Sequence, residues 1–134
     1  MQPAQGVITH LASQNLIGNV FNMNVVMLHQ HQDARLERLE LQALLGIYGQ
    51  MVARGVWKDY ALNMVGQEAR FAVFRKFGEA PQFTIVKNPK LAKRQGAWAL
   101  LNQEGLVLKR AHEFHVIAKH FRHQGERLDK RRRA

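Results

Sequence analysis

Between Leu36 and Arg54 the apolar residues Leu41, Leu44, Leu45, Tyr48, Met51 and Val52 recur at the three- and four-residue spacing of a helix with one buried side. Asp33 stands where an N-cap is wanted and Gly55 where a helix stops. Gly46 and Gly49 each lower helix propensity by about 1 kcal/mol against alanine, so close packing on a neighbouring element is expected there. Downstream the pattern changes to short β-prone runs at Tyr60–Val65, Ala69–Phe77, Gln82–Lys87, Ala97–Asn102 and Leu106–Lys109, separated by Gly, Pro and Asn. Asn102 to Gly105 suits a hairpin loop with Gly105 in the left-handed region. Helical spacing returns with Phe114, Ile117, Ala118 and Phe121, predicting a second helix over Ala111–Arg122. Near the start, Phe21, Met23, Val25 and Met27 alternate with their neighbours and read as a short strand.

These elements predict one α+β domain, a mostly antiparallel sheet packed by two helices. Residues 1–34 form an N-terminal arm, 35–124 the core domain and 125–134 a basic C-terminal tail. A chain of 134 residues, 46% apolar, buries one core and leaves no room for a multidomain enzyme. No internal repeat or Pro- or Gly/Ser-rich linker divides it. The apolar stretch Val7–Leu28 is broken by Thr9, His10, Ser13 and several Asn, against a membrane span. It has neither the basic start of a secretory signal nor the arginines of a transit peptide, so cytoplasmic residence is expected.

Charge changes the picture more than composition does. Lys and Arg number 20 against 10 Asp and Glu, a net of +10, yet residues 1–34 hold no Lys or Arg and only Asp33 as an acid. Between residues 87 and 110, Lys87, Lys90, Lys93, Arg94, Lys109 and Arg110 face Glu104 alone, a net of +5. Concentrated positive charge is what neutralising a row of phosphates requires. Pro89 and Gly96 shape the segment that carries the middle of this set. Trp98 with Phe83 beside it either stacks an unpaired base, with Asn88 and Gln95 reading base edges, or belongs to the core. The expected interface is therefore Lys87, Lys90, Lys93, Arg94, Trp98, Lys109 and Arg110, with RNA the preferred ligand. Arg127, Lys130, Arg131, Arg132 and Arg133 add a second basic run, read as auxiliary or as a solvated helix end. The alternative partner is an acidic protein gripped by the same loop, with the apolar arm adding a strand or helix to it.

Catalytic chemistry lacks its parts. There is no cysteine, Ser13 is the lone serine, and no phosphate-cradling glycine loop, G-x-S-x-G elbow or H-E-x-x-H occurs. A noncatalytic protein without cofactor is expected. His112, His115, Lys119 and His123 share a polar face opposite Phe114, Ile117 and Phe121, where the lysine and the missing carboxylate argue against a metal.

The order Gly55-Val56-Trp57-Lys58-Asp59-Tyr60-Ala61, Ala72-Val73-Phe74-Arg75-Lys76, Lys90-Leu91-Ala92-Lys93-Arg94-Gln95-Gly96-Ala97-Trp98 and Leu108-Lys109-Arg110-Ala111-His112 resembles a small alphaproteobacterial family of unknown function over about residues 36–120. The resemblance implies a bacterial origin and assigns no activity. Ala111 stands where that pattern leads one to expect glycine.

Overall fold

The computed structural model describes residues 35–134. Asp33, the expected N-cap, and the predicted strand around Phe21–Leu28 lie outside the described residues, as does the arm as a whole. Glu37 takes the N-cap position of the first helix, α1 (Arg38–Ala53), and its backbone N–H donates to Glu40 Oε1 at 2.8 Å. Leu41, Leu44, Ile47 and Met51 make its buried stripe. At the far end Gly55, at φ +78°, donates to Val52 O at 2.9 Å and Val56 donates to Met51 O at 2.8 Å. This pair of bonds is a Schellman closure, and it needs the left-handed conformation that glycine adopts without strain. Gly46 and Gly49 are exposed, and a Cβ on either would meet nothing within 4 Å. The close packing expected of them does not occur.

The chain then turns into five strands, β1 (Asp59–Val65), β2 (Glu68–Phe74), β3 (Phe83–Lys87), β4 (Trp98–Leu101) and β5 (Val107–Ala111), ordered β1-β2-β3-β4-β5 and antiparallel throughout. Gly66, at φ +61°, opens the β1–β2 turn, and Gly105, at φ +87°, closes the β4–β5 loop, where Asn102 Oδ1 accepts from the N–H groups of Glu104 and Leu106. Side chains alternate between the two faces of a sheet. One register row runs through Phe71, Ile85, Leu100 and Lys109; the adjacent row runs through Arg70, Val86, Ala99 and Arg110.

Both helices cover the first of these faces. Tyr48 of α1 meets Tyr60 edge-on at 5.1 Å, and Phe121 of the second helix, α2 (Phe114–Arg133), meets Phe71 at 6.2 Å. Trp57, in the corner after α1, stacks on Phe121 at 4.9 Å and donates its indole N–H to Gln82 Oε1. Burying a side chain of this class contributes about 1.5–3 kcal/mol.

α2 does not stop near Arg122. It runs to Arg133, so the segment expected as a basic tail is the second half of a helix. Its buried residues Ile117, Phe121, Gly125 and Asp129 follow one another every four positions. Gly125 seats directly on α1 and the Trp57 corner: a Cβ there would stand 2.9 Å from Met51 Sδ. Leu128 packs against the core from the same turn. Glu40 binds Lys87, which lies over Trp98 beside Phe114 at the start of α2, and Arg54 binds Asp129 near its end, so the two helices lie side by side and point the same way.

Candidate nucleic-acid interface

The seven residues expected to form one interface are distributed over the fold. Lys87 Nζ is bound by Glu40 Oε1 at 2.9 Å and by the carbonyl of Arg35 at 3.1 Å, and it lies 5.3 Å from the centre of the Trp98 ring. Its side chain is 14% exposed. It clamps the start of α1 to the end of β3, so it is no phosphate ligand. Trp98 is 4% exposed and packs on Phe114, and Phe83 is buried under Trp57. No base can stack on either ring, which corrects the expectation of an aromatic platform.

Lys90, Lys93 and Arg94 are exposed, in a loop built by its backbone. Asn88 Oδ1 accepts from the N–H of Lys90, capping the short 3₁₀ turn Pro89–Leu91, and the N–H groups of Arg94, Gln95 and Gly96 all converge on the carbonyl of Leu91. The ring of His112 contacts the carbonyl of Ala92 at 3.1 Å. Gly96, at φ +98°, lets the loop press on the end of β5, where a Cβ would lie 2.3 Å from Ala111 O. The close backbone approach expected of Gly96 is thus made, against Ala111. Lys109 and Arg110 diverge: Lys109 sits on the helix-covered face and Arg110 on the opposite face, rimming a shallow hollow with Arg70, Glu68 and Asn88.

A longer run of positive charge lies on α2, where periodicity gave no reason to look beyond Arg122. From Lys119 to Arg133 the helix has seven Lys and Arg against Glu126 and Asp129. Lys119, His123, Arg127 and Lys130 are exposed on the side away from Phe121 and Gly125, with Arg122 exposed on its flank. His120 marks where this strip meets β5: loss of surrounding water, then the charges of Lys109, His123 and Lys119, hold its imidazole below the usual value of 6.5. Glu126 lies among these cations, whereas Asp129 turns inward. Its side chain is 5% exposed, and Oδ2 accepts from Arg54 at 3.5 Å and forms an ion pair with Arg133 at 3.3 Å. The cleft beside it, about 490 Å³, is lined by Arg54, His123, Glu126, Arg127, Lys130 and Arg133 around Asp129. Among the described residues no three His, Asp or Glu side chains group as metal ligands.

A family model described as a protein of unknown function, DUF2794, matches residues 34–118. The chain belongs to that family. The DUF2794 match takes in α1, the whole sheet, the loop of Lys90, Lys93 and Arg94 and the start of α2, and ends one residue before Lys119. No curated protein and no solved structure matches the chain. Among the described residues no helix is long and apolar enough to cross a membrane.

Proposed function

We propose that this DUF2794 protein binds nucleic acid without chemically altering it, gripping phosphates with the outer face of α2. One observation carries the reading: along α2, Lys119, Arg122, Arg127 and Lys130 stand exposed with Glu126 as the acid among them, while Asp129 is turned into the fold and bound by arginines. From Lys119 to Lys130 the strip covers roughly 17 Å at 1.5 Å per residue, the reach of several consecutive phosphates. Cations along a rod read backbone, not bases. The proposed ligand is accordingly nucleic acid as a class; the preference for unpaired RNA depended on an exposed Trp98. Lys90, Lys93 and Arg94 add a second, separate patch.

Binding of a fluorescein-labelled duplex measured across a salt series tests this. With four or five phosphates neutralised, log affinity falls against log salt with a slope of roughly −3 to −5. Replacing Lys119, Arg127 and Lys130 by Gln flattens that slope by about one for each phosphate that is no longer neutralised. A salt-insensitive affinity, or a triple variant that binds like the parent, would overturn the reading.

β5 favours a second reading. It is an outer strand of the described sheet, and Leu106, Val107 and Leu108 are 64%, 45% and 42% exposed beside Lys109 and Arg110. An apolar edge flanked by cations suits an extended acidic segment of a partner protein. Absorbance at 260 against 280 nm before and after nuclease separates the two: a copurifying protein with no nuclease-sensitive material favours the second.

A further inference from the structure

The cations of the α2 strip point outward in a row, but those at its end converge. Arg54 is the residue that caps the C-terminus of α1 and Arg133 comes from the last turn of α2, and the two meet on a single oxygen, Asp129 Oδ2. Two guanidinium groups repel one another, and a carboxylate with its side chain 5% exposed is what holds them together. One nitrogen of each guanidinium stands against that oxygen, at 3.5 and 3.3 Å. Because a guanidinium carries five N–H donors in a planar fork, most of both forks is left for something else. The side chains are 46% and 70% exposed and both line the cleft. Arg127, Lys130 and His123 line the same cleft, against Glu126 as its remaining acid.

A point of converging cations selects for charge density. A phosphodiester carries one negative charge, whereas a phosphomonoester carries about 1.5 to 2 at neutral pH and offers three acceptor oxygens in place of two. Forked arginines match that oxygen geometry in pairs. We propose that the Arg54–Asp129–Arg133 cleft is a site for a phosphomonoester, the terminal phosphate of a nucleic-acid strand whose following diesters lie along α2. The inference rests on the nucleic-acid reading above, and it adds an end preference which that reading does not require. About 490 Å³ holds the phosphate together with the sugar that bears it.

The test compares one short duplex in three forms, ending in 5′-phosphate, 3′-phosphate or hydroxyl only, with the full chain at fixed salt. One phosphorylated form binds about tenfold more tightly than the hydroxyl form, the effect of a single additional charge-assisted hydrogen bond. Which form it is identifies the strand end. Arg54→Gln brings the ratio towards one, and Arg133→Gln, at an exposed position of the last turn, does so in a chain that stays folded if Arg54→Gln proves unstable. Equal affinity for all three forms with the salt dependence intact overturns the end site alone. A lack of binding to any form overturns both proposals, and a preference that survives both arginine variants overturns the location.

Discussion

Among the described glycines, Gly96 has the least freedom to change. Its φ of +98° strains any side chain, and a Cβ would stand 2.3 Å from a backbone oxygen and 2.5 Å from a backbone carbon of Ala111, neither of which can swing aside. Gly46 and Gly49 are the opposite case, with helical backbone and open space on all sides. Gly96→Ala is therefore expected to destabilise by about 3 kcal/mol or more. Gly46→Ala and Gly49→Ala should each stabilise by up to about 1 kcal/mol, and urea melts of the three variants check both signs. The sequence pointed correctly to an unusual turn at Gly96. It misled at the helical pair because it states a propensity and not whether a neighbour is near. At Lys87 and Trp98 the ambiguity was physical as well: a cation beside an aromatic ring looks the same in a sequence whether it faces phosphate or clamps a helix to a strand.

Among the elements, the sheet and α1 were legible because their buried positions are occupied by apolar residues: Leu41, Leu44 and Met51 on the helix, Phe71, Val73, Ile85 and Leu100 on the strands. α2 was legible only to Phe121. Its next two inward positions are Gly125, small because Met51 and Trp57 press against it, and Asp129, buried by pairing with arginines, and neither side chain is apolar enough to extend the stripe. The strip on α2 has a titration signature of its own. Because His120 is depressed by burial and by Lys109, His123 and Lys119, its protonation favours the unfolded chain; this small contribution to stability is present above the ordinary value of 6.5 and lost as pH falls below it. A proton NMR titration should place the His120 midpoint below 6.5, and Lys109→Gln or added duplex should raise it. A His120 midpoint at or above 6.5 in the free protein would contradict this account of the strip.

Over the whole molecule, the +10 charge predicted attraction to anions without locating it, since it is the pairing of acids that decides which cations remain available. Glu40 occupies Lys87 and Glu68 holds Arg70, whereas the loop cations and those on the outer side of α2 stay exposed. Because α1 and α2 run the same way, their C-terminal carbonyls, each the negative end of a helix dipole, lie at one end of the molecule. α1 has no basic residue in its last turn, whereas α2 has Lys130 to Arg133, and Arg132 reaches across to the carbonyl of Arg54 at 3.5 Å. Arg132→Gln should lower stability by about 0.3–1 kcal/mol in dilute buffer, with the deficit closing as salt screens the dipole. The arginines of one helix thus neutralise the ends of two. Raising ionic strength will loosen that end of the fold as it releases a bound polyanion, so affinity and melting behaviour should shift together across a salt series.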